Sequence, residues 1–198
     1  MGDMARPPRT ADGDAFRFRA GRLSLDLCST LLWRHLTPIE QLREPADLAR
    51  WLQEAGVRPV PTSLDTADVE AARALRESIY ALAHDRIAGR RPSRAHTATL
   101  NAAAAQPDPA PALTADGRIA WAADAPASAA LSRVARDAIE LLTGTSAARL
   151  RECAARDCAF LFVDTSRPGR RRWCASDRCG NREHVREHRR RRQRDEAR

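Results

Sequence analysis

The sequence contains no lysine: all 34 of its Lys and Arg positions are arginine. An Ala- and Arg-rich composition follows from a GC-rich genome as readily as from selection, so residue type alone carries no functional message. Long apolar runs are absent too. No stretch approaches the roughly 18 apolar residues that a membrane-spanning helix requires, and a mean hydropathy of -0.54 excludes a helical membrane protein. Behind the scattered arginines of the N-terminus there is no apolar segment of the kind a secretory signal needs. The expectation is a disordered leader over residues 1–15 on a chain that stays in the cytoplasm, or on nucleoid DNA if it binds there. Histidine is scarce, at five. No nucleophile elbow, phosphate loop, dinucleotide fingerprint or zinc-protease motif occurs, so the chain does not read as an enzyme and no catalytic residue is nominated. No internal repeat is present at any plausible period.

What is present is a lopsided charge. Up to Ala148 there are 18 Arg against 18 acidic residues, and from Arg149 onward 16 Arg against 8, so the whole formal excess of +8 lies in the last quarter. A basic segment joined to a neutral body points to a polyanionic partner, because phosphate neutralisation releases condensed counterions. The plainer reading of such a segment is a solvated basic tail.

Apolar periodicity makes the body mainly α with minor β. Phe16–Arg19 alternates like a short strand, and apolar positions 27, 28, 31 and 32 favour a helix after Gly21. Pro45 stands at a first helical position, with Leu48, Trp51, Leu52 and Ala55 on one face until Gly56. Thr66 is positioned to cap a longer helix that ends near Gly89, and Ser93 a weaker one to about Ala105. Past a Pro-rich break at 107–111, Leu113–Trp121 reads as a hairpin turning at Asp116-Gly117. Ser128 begins a last body helix that Gly144 ends. Trp33, Trp51 and Trp121 suit a core as well as a ligand pocket.

Four of the five cysteines form two equally spaced pairs, Cys153-x4-Cys158 and Cys174-x4-Cys179, separated by fifteen residues. Two tight turns that each supply two thiolates match the needs of a tetrahedral Zn²⁺. Disulfides and an iron–sulfur cluster are the competing explanations; the absent export signal weighs against the first, and the basic, hydrophilic setting against the second. A complete set of four thiolates leaves no open position, so one zinc would be structural. Phe160–Val163 and Arg171–Trp173 read as two strands of a hairpin spanning the pairs, with Phe160, Phe162 and Trp173 as a small core. Gly180 and Asn181 suit a tight backbone leading into a helix, which places the final ligand at a helix N-terminus, as in a treble clef or related zinc ribbon.

The stretch from Cys153 through Asp164-Thr-Ser-Arg167, then Arg172-Trp173-Cys174 and Cys179-Gly-Asn-Arg182, closely resembles the CGNR zinc finger, a family named for those last four residues. Upstream, Gly21-Arg-Leu-Ser-Leu-Asp-Leu27 and the Trp51-Leu52 helix resemble the ABATE domain that usually precedes this finger. That domain is described as a stress-induced transcription regulator. Ser29 stands where relatives tend to carry Asn. The resemblance implies an α-rich domain over 16–148 and a finger with a basic C-terminal helix over 149–198.

From Arg182 to Arg192 the sequence has no helix breaker, and Arg182, Arg186 and Arg189 or Arg190 share one side at helical spacing, with Val185 the only aliphatic residue there. Such a helix finds its partner outside the fold. The residues nominated for nucleic-acid contact are Arg170, Arg171, Arg172, Trp173, Asn181, Arg182, Arg186, Arg189 and Arg190, and the partner nominated is double-stranded DNA. RNA on the same surface and an acidic protein partner are the alternatives. His184 and His188 have no place among the metal ligands, and Glu183 and Glu187 are positioned to pair with neighbouring arginines. The body is expected to dimerise or to sense a small-molecule effector, and Cys28 to be a buried small apolar residue.

Overall fold

The computed structural model describes residues 15–121 and 125–196. The leader expected over 1–15 lies outside these residues, Ala15 excepted. Among these residues six α-helices and three two-stranded antiparallel sheets follow in order. Helices α1 (Leu23–Cys28), α2 (Pro45–Glu54), α3 (Thr66–Ile87), α4 (Arg94–Ala104) and α5 (Ala127–Thr143) build the body, and α6 (Asn181–Glu196) ends it. The strand pairs are β1 (Leu31–Leu32) with β2 (Ile39–Glu40), β3 (Pro111–Leu113) with β4 (Ile119–Trp121), and β5 (Leu150–Glu152) with β6 (Leu161–Val163).

Local chemistry sets the helix starts. At α2 the Glu44 and Asp47 side chains each accept the other's backbone N–H, with Pro45 at the first helical position. At α3 the same reciprocal box is made by Asp65 and Asp68, so Asp65 and not Thr66 is the cap. Helix α5 follows Pro126, one residue before the expected Ser128 start. It stops at Gly144, where a Cβ would lie 2.6 Å from the Glu140 carbonyl oxygen. The hairpin β3–β4 has the expected turn, and its paired Leu113 and Ile119 are exposed.

Two further sequence readings in the body are corrected by the structure. The helix favoured through Leu32 ends at Cys28, because the Ser29 hydroxyl donates to the Asp26 carbonyl (2.8 Å) and the Thr30 hydroxyl to the Leu27 carbonyl (2.7 Å). Leu31 and Leu32 then pair with Glu40 and Ile39 instead. The expected strand at Phe16–Arg19 has no ladder; at its end only the Val163 amide reaches the Ala20 carbonyl, at 2.9 Å.

Helices α3, α4 and α5 pack on one another, with α1 against α3 and α5 and α2 against α3. One core cluster runs through Leu48, Trp51, Leu52, Leu75, Ile79 and Val134, all essentially without exposure, so Trp51 is core. Trp33 and Trp121 are half-buried. Cys28 is buried with the first cluster, and burial pushes its thiol up to about 12, which leaves it inert at neutral pH. A second cluster joins Ala20, Leu25, Ala83 and Leu141 of the body to Leu150, Phe160, Leu161, Phe162 and the four paired cysteines. The C-terminal module therefore shares its core with the helices.

Polar groups lock α1 at that junction. Asp137 of α5 accepts from the Ser24 amide (2.8 Å) and hydroxyl (2.5 Å) and pairs with Arg22 (2.8 Å), replacing a local cap for α1. Asp26 accepts from the Ala20 amide at 3.0 Å, yet burial outweighs that bond and raises its carboxyl to about 6. The raised value lies above that of an unfolded aspartate, so the native state takes up the proton first. Stability contributed by Asp26 is full at acid pH and lost as pH rises through about 6. Asp26→Asn is therefore expected to be more stable than the parent at pH 7.5 and to lose that advantage toward pH 4.5, as read by urea unfolding at both pH values.

Candidate metal centre and its basic helix

The four paired cysteines reach one point from two turns. Cys153 follows β5, where its amide donates to the Phe160 carbonyl at 2.9 Å, and the Cys158 amide closes the first turn on the Ala155 carbonyl. Cys174 precedes an extended Ala175, and a π-helical turn over Ser176–Gly180 carries Cys179 to the start of α6. Gly180 leaves room there, since a Cβ would lie a tight 3.3 Å from the Trp173 ring. The final cysteine thus stands at a helix N-terminus, as the sequence predicts.

All four Sγ atoms lie within 4.8 Å of one another, with Cys158–Cys174 at 3.8 Å and Cys174–Cys179 at 3.5 Å. A zinc–sulfur bond of about 2.3 Å gives a tetrahedron edge of about 3.8 Å, so the spacing fits Zn²⁺. None of the five cysteines is in a disulfide. Hydrogen bonding from Cys158 and its neighbours drives the Cys153 thiol far down, and the same contacts drive Cys158 far up. Sulfurs this close ionise together only around a cation. With four thiolates on one zinc the centre carries two negative charges, and its surroundings oppose them. The Cys174 amide donates to Cys153 Sγ at 3.3 Å, Arg182 to Cys179 Sγ at 3.4 Å, and Arg19 of the body approaches Cys174 Sγ at 4.0 Å.

The hairpin expected across the pairs has a different second strand. β6 pairs with β5 upstream (Leu150↔Val163, Glu152↔Leu161), whereas Arg171–Trp173 contributes one backbone bond, from the Ala154 amide to the Arg172 carbonyl at 2.8 Å. Asp164 is the reason: its buried carboxylate accepts from the Ser166 amide and hydroxyl and from the Arg171 amide, folding 164–171 into a turn that cannot continue the ladder. Phe160 and Phe162 are buried as expected.

The nominated contact residues fall into two groups. Arg171 is spent internally, stacked 4.7 Å over Phe162 and donating to the Trp173 carbonyl at 2.9 Å and to the Cys174 carbonyl. Arg182 and Arg186 both grip Asp157, one on each carboxylate oxygen at 2.7 Å, and Arg186 also pairs with Glu183 at 2.6 Å. Trp173 is half-buried, its ring edge-on to His184 at 5.1 Å. Arg170, Arg172, Asn181, Arg189 and Arg190 are exposed. Arg172 lies 5.0 Å over the Trp173 ring, which itself meets His184 of α6, so Arg172 lies near that helix. Glu187 pairs with Arg191 at 2.7 Å.

Sequence reasoning missed Asp157 and Trp33. Asp157 is 6% exposed within the first cysteine turn, and its one visible signal was an acid inside a metal-binding turn of an otherwise basic segment. Trp33 holds a left-handed backbone, φ 54°, which costs a bulky residue about 1–3 kcal/mol. Its ring lies 5.9 Å from the Arg17 guanidinium and 5.6 Å from that of Arg182, so it connects body and finger through cation–π contact. Glu152 makes a second junction, accepting from Tyr80 at 3.3 Å and facing His35 Nε2 at 3.1 Å. Ser29 has a structural role, its hydroxyl also meeting the Arg17 carbonyl at 3.0 Å.

A helical body carrying a four-cysteine module and a terminal helix defines a two-part protein with a structural zinc finger. Residues 21–145 match the ABATE family, described as "Putative stress-induced transcription regulator", and residues 149–192 match the CGNR zinc finger. The first match spans more than half of the sequence, and the chain belongs to the ABATE family, with a CGNR zinc finger behind that domain. No curated protein matches the chain. Among the described residues no helix is long and apolar enough to cross a membrane. Elemental analysis is expected to give one zinc per chain. Cys158→Ser or Cys174→Ser should lower zinc affinity by more than the roughly 10–100-fold that loss of an outer partner causes, and Cys28→Ser should leave it unchanged.

Proposed function

We propose that the protein is a DNA-binding transcription regulator whose zinc module holds an arginine-bearing helix against the phosphates of a duplex. The observation that carries this reading is the arginine excess from Arg149 onward, with Arg189 and Arg190 exposed on α6 and Arg170 and Arg172 exposed ahead of the second cysteine pair. A helix with mean burial this low, Val185 itself being 42% exposed, has little to gain from the fold and much from a polyanion. The inward aromatics favour duplex over single strand: Phe160 and Phe162 are buried and Trp173 packs on His184, so stacking on unpaired bases has no platform here. In this reading Arg170, Arg172, Asn181, Arg189 and Arg190 contact nucleic acid, while Arg171, Arg182, Arg186 and Trp173 hold the surface in shape.

The functional division falls near residue 148, with residues 16–148 receiving a signal and 149–198 binding DNA. A cleft of about 250 Å³ between α3, α4 and α5, floored by Leu82, Leu100, Ile139 and Leu142 with Arg86 at its rim, is where a small effector would enter. A second copy would meet the exposed Leu113 and Ile119 pair. The regulator needs no catalytic group.

Fluorescence anisotropy with duplex DNA tests the reading. Four phosphate contacts give a log–log salt slope of about -3.6, hence an affinity loss on the order of a hundred-fold between 50 and 200 mM salt. Replacing Arg189 and Arg190 together by Ala should shrink the slope by about 1.8. Absence of duplex binding at low salt defeats the proposal. Preferential competition by structured RNA assigns the surface to RNA, and a nuclease-resistant protein complex assigns it to an acidic partner.

A further inference from the structure

Helix α6 lacks the usual means of holding a helix in place. Its sequence from Arg182 to Arg192 offers Val185 as the one aliphatic residue, and that side chain is largely open to solvent. Its ring contact is the edge-on approach of His184 to Trp173 at 5.1 Å, and aliphatic burial cannot fix its direction. What meets it is charge: buried Asp157 presents one oxygen to Arg182 and the other to Arg186, one turn later on the same side of α6. Arg182 has two further partners, the Cys179 sulfur at 3.4 Å and the Trp33 ring of the body at 5.6 Å. These contacts reach α6 from three directions: the first cysteine turn, the last metal ligand, and a body loop held in a left-handed backbone.

We propose that Asp157 and Trp33 are positioning residues which, acting through Arg182 and Arg186, fix the direction of the basic helix relative to the zinc module and the body. The helix is then aimed by an anchor at its first turn and projects its remaining arginines outward. The consequence for binding rests on the nucleic-acid reading above; the consequence for the helix does not.

The sign of one substitution separates positioning from simple charge. Asp157→Asn removes a negative charge beside the basic surface and the carboxylate that Arg182 and Arg186 share, so charge alone predicts tighter duplex binding. Loss of positioning predicts weaker binding, because the arginines must be ordered at the moment of contact. We expect the full-length, zinc-loaded Asp157→Asn protein to bind duplex DNA about ten-fold more weakly at fixed salt. Amide hydrogen exchange over residues 182–190 should accelerate about ten-fold, with zinc stoichiometry still one per chain. Trp33→Ala, remote from the cysteines, should give the same local acceleration to a smaller degree, and Trp33→Phe, which keeps a ring, should restore most of the protection.

Unchanged exchange over α6 in both Asp157→Asn and Trp33→Ala overturns the proposal whatever happens to DNA binding. Faster exchange with unchanged or tighter binding overturns its claim on affinity. Should Asp157→Asn lose its zinc, Trp33→Ala decides alone. If the parent protein binds no duplex at all, the nucleic-acid reading fails and the exchange data still judge the anchor.

Discussion

Four thiolates within 4.8 Å of one another set the terms for the C-terminal quarter of this protein. Their mutual repulsion is relieved by a cation at the centre and by donors around it, and the donors come from both halves of the chain. Arg19 precedes α1, whereas Arg182 opens α6. The zinc centre is consequently a joint between body and finger, reinforced by a hydrophobic cluster in which Leu25 and Leu141 meet Phe162 and the cysteines. A module this small would gain too little from its own burial to fold, and the shared core reduces how much of its stability the metal alone must supply.

Arginine does opposite work in neighbouring places, and the nearby acids decide which. Where a buried carboxylate is at hand the guanidinium becomes a strut, as for Arg182 and Arg186 on Asp157 at 2.7 Å; in the body Arg76, its own side chain only 3% exposed, is held likewise by the partly exposed Glu40 and Glu77 at 2.7 and 2.8 Å. Where the nearest acid is exposed, as for Arg191 and Glu187, the pair is worth little against solvent and salt. The 16 arginines from Arg149 onward thus overstate the number available to a polyanion, since Arg171, Arg182 and Arg186 are engaged inside the fold.

Local signals made much of this architecture legible. Pro45, the Asp116-Gly117 turn and Gly144 each mark a boundary through the chemistry of one or two residues, and the paired cysteine spacing identified the metal site. Failures came where distant groups decide. Leu31 and Leu32 fit a helical period as well as a strand, and back-bonding hydroxyls at Ser29 and Thr30 settled the matter. The choice of β5 over 171–173 as the partner of β6 depended on Asp164 gathering three donors. Helical spacing put Arg182 and Arg186 on one face, and both meet Asp157, but spacing is blind to an acid 25 residues upstream.

The motif Cys179-Gly180-Asn181-Arg182 now has a physical reading position by position. Cys179 supplies the last sulfur, Gly180 leaves room for the Trp173 ring, Asn181 begins the helix, and Arg182 ties that helix to a thiolate, a carboxylate and the body. Four consecutive residues thereby convert a metal site into a direction in space. The link to the body is equally tight, because Gly144 passes through one 3-10 turn, Thr145–Arg149, straight into β5 with no spacer. A change in the helical body therefore cannot be absorbed by a slack connection. It must be borne by the shared core or by the Arg19 and Trp33 contacts, and these lie directly on the elements that aim α6.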